Sequence, residues 1–144
     1  IWYDGVILFF SQKKGFLMQL KDIMTKSVLT VTEELIAEDA YQLMIKESIH
    51  HLIVVNDTDI VGVLSERDLG GPQGQETSRG KTVGDLAVKD IITAAPTDTI
   101  QYAALYLRGY NIGCLPVVDD GYLVGIVTIS DILTLVGQGV KLSG

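Results

Sequence analysis

Slid against itself by 63 residues, the chain aligns with itself without a gap. Asp22 meets Asp85, Lys26 meets Lys89, Thr30 meets Thr93, Ala40 meets Ala103, Ile49 meets Ile112 and Leu52 meets Leu115. The register then holds to the end: Val54-Val55 fall on Val117-Val118, Asp57 on Asp120, Val61-Gly62 on Val124-Gly125 and Asp68 on Asp131. A duplication of this kind restricts the fold to two copies of one supersecondary unit.

Within each copy the hydrophobic period changes in the same order. Ala37, Ala40, Tyr41 and Met44 stand at i, i+3, i+4 and i+7, and Ile100, Ala103, Ala104 and Leu107 repeat the spacing, so each copy holds a helix with one buried stripe. The apolar runs Leu52-Ile53-Val54-Val55 and Leu115-Pro116-Val117-Val118 follow. Turn residues and second apolar runs, Ile60 to Leu64 and Leu123 to Val127, complete two hairpins. A last helix opens at Ser65 and at Thr128, the second marked by Ile129, Ile132, Leu133 and Val136. The expected fold class is α+β (mixed α/β), with two pseudo-symmetric β-α-β-β-α units packed through their sheets, because one copy of about 50 to 60 residues buries little core alone. The units are placed at 18–69 and 82–138, joined by a Gly/Pro-rich linker at 70–81 and followed by a tail at 139–144. Residues 1–17 fall outside the repeat and carry Trp2, Tyr3, Phe9, Phe10 and Phe16. They read as an N-terminal extension or appended segment, expected to pack on the module or on a neighbouring subunit.

Charge removes several function classes. Eleven Lys and Arg against eighteen Asp and Glu give a net charge of −7, with the basic residues scattered, so a nucleic-acid backbone is repelled. The longest tight apolar run, Val6 to Phe10, is far short of a bilayer span and lacks the flanks of a signal peptide, so no membrane partner is expected. Cys114 is the sole cysteine. It excludes an intrachain disulfide and a multi-cysteine zinc site, and a cytoplasmic location fits best. His50 and His51 are adjacent and point to opposite faces of a strand, so they do not chelate one metal, and no metal site is expected.

One motif recurs at equivalent points of both copies: Gly62-Val63-Leu64-Ser65-Glu66-Arg67-Asp68 and Gly125-Ile126-Val127-Thr128-Ile129-Ser130-Asp131. It has two physical readings. As a nucleotide cradle, the glycine admits a ligand to the backbone, the hydroxyl and helix N-terminus face a phosphate, and the aspartate accepts the ribose hydroxyls. As a cap, Ser-x-x-Asp and Thr-x-x-Asp are near-relatives of the capping box, with the acid satisfying a backbone donor. Recurrence in both copies, facing a shared interface, favours the cradle.

These segments, with Asp22-Ile23-Met24-Thr25 and the Ile-x-x-Leu-x-Val-Val strands at 49–55 and 112–118, resemble a tandem of cystathionine β-synthase (CBS) domains, the pair called a Bateman module. The resemblance covers about Leu20 to Val136. It implies a cleft between the units that binds AMP, ADP, ATP or S-adenosylmethionine, with Asp68 and Asp131 on ribose and Ser65 and Thr128 near phosphate. It further implies that residues near Thr25, Val28 and Ile91 flank the base, and that basic residues at His50 and His51 touch phosphate. A partly buried histidine held by backbone explains that pair equally well. Arg67 either reaches phosphate or pairs with Glu66 or Asp68, and its counterpart is Ser130. Two departures stand out: Ile53 replaces the proline matched by Pro116, and Val88 replaces the threonine matched by Thr25, so the two sites are expected to differ in affinity.

Other features carry less. The stretch from Gly74 to Thr82 ends like a P-loop, but five residues separate Gly74 from Gly80 where four are needed, and no buried strand precedes it. Cys114 reads as a small core hydrophobe. The aspartates at 57, 59, 119 and 120 read as turn chemistry. The expected function is a non-enzymatic, energy-sensing regulatory module that needs no cofactor, binds an adenosyl ligand and forms a homodimer. The alternatives are a ligand-free dimerisation module, in which both motifs serve only as caps, and a nucleotide hydrolase, which lacks a base, a metal cluster and a P-loop.

Overall fold

Two-residue turns close both hairpins, and their chemistry is written in the chain. Asn56 pairs with Asp59 and Asp119 with Tyr122, which leaves Asp57-Thr58 and Asp120-Gly121 at the tips. Asp120 and Gly121 have φ of 50° and 82°, the left-handed pair of a type I′ turn, and Asp57 has φ of 55°. In the computed structural model the described residues are 18–71 and 75–142. The extension expected at 1–17, residues 72–74 of the linker and 143–144 of the tail lie outside the described residues.

The chain forms two compact units, a continuous one over Ser27–Ile92 and a split one made of residues 18–26 with 93–142. In the continuous unit, β1 (Thr30–Val31) lies parallel to β2 (His51–Asn56), and β2 pairs antiparallel with β3 (Asp59–Ser65). Helix α1 (Ala37–Glu47) connects β1 to β2 and presents Ala37, Ala40 and Met44 to a core of Val31, Leu52, Val54, Leu64, Leu69 and Val83. It ends on Ser48 in left-handed backbone, with Ile49 N–H bonded to the Met44 carbonyl. Two short helices follow, α2 (Gln75–Ser78) and α3 (Val83–Leu86).

The split unit repeats this plan. Helix α4 (Ile100–Gly109) buries Ile100, Ala103 and Leu107, and the hairpin β4 (Cys114–Asp119) and β5 (Tyr122–Thr128) leads into α5 (Ile129–Gly137). Even the irregularities repeat: a bulge sits at Val54/Val55 and again at Val117/Val118. One difference is plain. The helix opening at Thr128 runs nine residues, whereas the one at Ser65 is a single 3-10 turn, Arg67–Leu69. Gly70 and Gly71, with φ of 87° and 66°, turn the chain left-handed there and stop it.

The compact units are composed differently from the sequence copies at 18–69 and 82–138. Each keeps its own copy's central helix and hairpin but takes its lead-in from the other copy. In the split unit, Leu20 and Lys21 N–H groups bond the Asp98 and Pro96 carbonyls, and Thr25 exchanges two hydrogen bonds of 3.0 Å with Ile126. In the continuous unit, Val83 and Gly84 bond Leu35 and Glu33 in the same way, and Val88 exchanges two bonds of 2.9 Å with Val63. Every one of these pairs is the other shifted by one repeat.

Candidate functional site

Both repeated motifs sit where a hairpin's second strand turns into a helical segment, and both close as reciprocal caps. Ser65 N–H donates to Asp68 Oδ2 at 2.8 Å and Asp68 N–H donates to Ser65 Oγ at 3.1 Å. Thr128 N–H donates to Asp131 Oδ2 at 2.8 Å and Asp131 N–H to Thr128 Oγ1 at 3.2 Å. The capping reading is thus realised in both units. It occupies Oδ2 of each half-buried carboxylate and leaves Oδ1 without a hydrogen bond among the described residues. A carboxylate has about four acceptor positions, so a cap and a ligand contact fit the same aspartate. Likewise each hydroxyl oxygen accepts from backbone and keeps its own proton to donate.

The lead-ins explain the glycines. A Cβ on Gly125 would stand 2.5 Å from Met24 Sδ and 3.1 Å from the Thr25 carbonyl oxygen; on Gly62 it would meet Ala87 Cβ and the Val88 oxygen, both at 3.2 Å. What lies over each glycine is therefore the lead-in strand. The approach that the cradle reading reserves for a ligand is used by protein.

Around the motif of the continuous unit the structure gathers His50, His51, Gly62, Ser65, Arg67 and Asp68. His51 pairs with Ser65 across the hairpin, so His50 falls opposite Glu66. His50 Nδ1 lies 2.6 Å from Glu66 Oε2, and Glu66 N–H bonds the His50 carbonyl. Sequence reasoning left Glu66 out of the site, although the hairpin register alone places it there. Arg67 is exposed and, contrary to the pairing weighed for it, makes no ion pair with Glu66 or Asp68 among the described residues. Burial, then the adjacent His50, pulls the His51 imidazole below its ordinary value of 6.5; Asp68 opposes this and Arg67 adds to it.

The split unit gathers Thr25, Gly125, Thr128, Ser130 and Asp131, with Thr25 brought in by its bridge to Ile126. Val28 and Ile91 are half-buried members of the continuous unit, so Thr25 and Val28, three residues apart, belong to different units. Thr82, from the stretch that ends like a P-loop, caps α3 instead, receiving a bond from Asp85 N–H while its own N–H donates to Asp85 Oδ2 at 2.9 Å. Among the described residues no group of three or more His, Cys, Asp or Glu is placed to hold a metal ion, and no helix is long and apolar enough to cross a membrane.

Comparison with known proteins bears on this geometry. Residues 20–69 and 83–137 each match the family model described as CBS domain. A homoserine O-acetyltransferase of Methanohalophilus mahii is 34% identical over 122 residues, which is 83% of this chain and 25% of that protein. An inosine-5'-monophosphate dehydrogenase of Thermoplasma acidophilum is 37% identical over 113 residues, 78% of this chain and 22% of that one. The chain thus spans about a quarter of the length of these two relatives. Among solved structures, the CBS domain pair of protein MJ0100, in complex with 5'-methylthioadenosine and S-adenosyl-L-methionine, superposes with a TM-score of 0.77 at 29% identity, covering 86% of this chain and 99% of that one.

Proposed function

The chain belongs to the CBS domain family, and from that premise we propose that it is a regulatory module binding an adenosyl ligand, of the class AMP, ADP, ATP or S-adenosylmethionine, at its two Ser/Thr-x-x-Asp turns. The observation that carries the reading is the second carboxylate oxygen. Asp68 and Asp131 each cap a turn with Oδ2 while Oδ1 stays available to a ribose diol, at the same place in both units. In this reading the hydroxyls of Ser65 and Thr128, which accept from backbone, donate their own protons to the 5′ group. The relative solved with two adenosyl compounds supports the ligand class.

Signalling then follows from linkage: occupancy changes the output only if the ligand favours one arrangement of the module over another. The module senses cellular energy charge in the cytoplasm and performs no catalysis itself. It forms a homodimer, supported by the exposed apolar stripe Ile129, Leu133 and Val136 along α5. Calorimetry with adenosine, AMP and ATP tests the ligand claim. Asp68→Ala and Asp131→Ala remove charge-assisted bonds worth about 1.5 to 3 kcal/mol, so affinity at the altered site falls by roughly 10- to 100-fold. Unchanged affinity in the double variant would leave both turns as caps. That outcome would support the second reading, a ligand-free dimerisation module, whose basis is the complete capping geometry of both turns.

A further inference from the structure

The two turns share a backbone but differ in the charged groups they carry. In the continuous unit the positions beside the aspartate are Glu66 and Arg67, and across the hairpin lie His50 and His51. One repeat later these four positions are Ile129, Ser130, Gly113 and Cys114, so Asp131 is the only charged residue among the motif positions of the split unit. Glu66 and Asp68 against Arg67 leave the same formal charge as Asp131 alone, so the two turns differ in pairing: had Glu66 turned to Arg67, the guanidinium would have been neutralised. It does not: Glu66 closes on His50 at 2.6 Å, and Arg67 stays exposed without an ion pair among the described residues. An exposed guanidinium beside a ribose-binding carboxylate offsets the repulsion that the carboxylate exerts on phosphate, and it presents a forked donor to phosphate oxygens. None of the split unit's positions equivalent to Glu66, Arg67, His50 and His51 carries a cation.

We infer that the two sites divide adenosyl ligands by their 5′ group: the continuous unit takes adenosine bearing a 5′ phosphate chain, with Arg67 as its specificity-determining residue, and the split unit takes adenosine whose 5′ substituent carries no phosphate. This rests on the adenosyl reading above and adds the ligand class of each site. His51 sharpens it. While its imidazole is neutral, phosphate binding depends on Arg67; protonation, which burial holds to a pH below the ordinary 6.5, adds a second cation near Arg67, His50 and Asp68.

The test is calorimetric titration of the full chain with ADP and with adenosine, in wild type, Arg67→Gln and Ser130→Arg. Wild type is expected to bind ADP with one strong site per chain. Arg67→Gln weakens ADP about tenfold more than it weakens adenosine, and the difference shrinks as salt is raised. Ser130→Arg strengthens ADP relative to adenosine about fivefold by giving the split unit the missing cation, and both substitutions are at exposed positions that leave the caps intact. Equal shifts for ADP and adenosine in both variants would overturn the division while leaving adenosyl binding in place. Failure of wild type to bind either compound would overturn the adenosyl reading itself, and this inference with it.

Discussion

Substituting alanine at the two hairpin glycines separates packing from proximity. At Gly125 the new methyl would stand 2.5 Å from Met24 Sδ and 2.8 Å from Met24 Cγ, but both belong to a flexible, half-buried side chain that can rotate aside about its χ1. The Thr25 oxygen at 3.1 Å then has to yield only a few tenths of an ångström. At Gly62 the contacts are longer, 3.2 Å, yet they are to the Ala87 Cβ and the Val88 oxygen, neither of which has a torsion to spare. Val88 is fixed by two 2.9 Å bonds to Val63 as Thr25 is by two 3.0 Å bonds to Ile126, so the backbone oxygens yield alike and the difference lies between the rigid Ala87 methyl and the rotatable Met24 side chain. Overpacking costs about 1 to 3 kcal/mol, offset by about 0.4 to 1 kcal/mol from the lower entropy of the unfolded chain. Gly62→Ala should therefore destabilise by about 2 kcal/mol and Gly125→Ala by about 1 kcal/mol, the reverse of the order that the shortest distances give. Urea unfolding measures both. In a double-mutant cycle, Met24→Ala should recover about 0.5 kcal/mol or more of the Gly125→Ala cost. A stabilised Gly62→Ala would refute the argument, since only the unfolded-state term has that sign.

Thr128→Ala should cost about 1 kcal/mol because it uncaps a nine-residue helix, and Ser65→Ala less because it uncaps one turn, as compared by denaturant midpoints. The folded state holds His51 below its unfolded value, so as pH falls the unfolded chain takes up the proton first. Its share of stability is intact above about pH 6.5 and is lost as pH falls through 6.5 towards the lower folded value. His51→Gln should flatten that part of the profile of unfolding midpoint against pH between about 5 and 7. Light scattering at micromolar concentration should give a dimer, and Leu133→Glu, placed on the exposed stripe of α5, should give monomer; a dimer that survives it would move the interface elsewhere.

The self-comparison at 63 residues made both hairpins, both central helices and both caps legible, because each depends on local spacing that the duplication prints twice. The sequence opens a helix at Ser65 and ends the first unit at 69, where Gly70-Gly71 begin the linker; the structure forms only a 3-10 turn there, Arg67–Leu69, halted by those left-handed glycines. The exchanged lead-ins were not legible. Thr25 has equivalent partners in Val63 and Ile126, and so has Val88, so sequence alone leaves own-copy and other-copy pairing nearly equal in appeal. Of the site, both aspartates and their caps could be read from spacing. The His50–Glu66 contact, and with it the unpaired state of Arg67, needed the hairpin register.

The exchanged lead-ins also set a timetable for synthesis. Residues 18–26 leave the ribosome before the rest of either unit, and their partner Ile126 follows roughly 100 residues later, a wait of about 5 to 20 s at about 5 to 20 residues per second. During that wait the first hairpin is already finished, and Val63 offers Thr25 the same two hydrogen bonds that Val88 will eventually make. Until Val88 arrives, nothing in the chain competes with Thr25 for the first hairpin, so own-copy pairing is open to the nascent chain during that interval. The two lead-ins differ at several positions, and among them Met24 against Ala87 and Thr25 against Val88 are the ones that lie over the hairpin glycines, where the exchange would be decided.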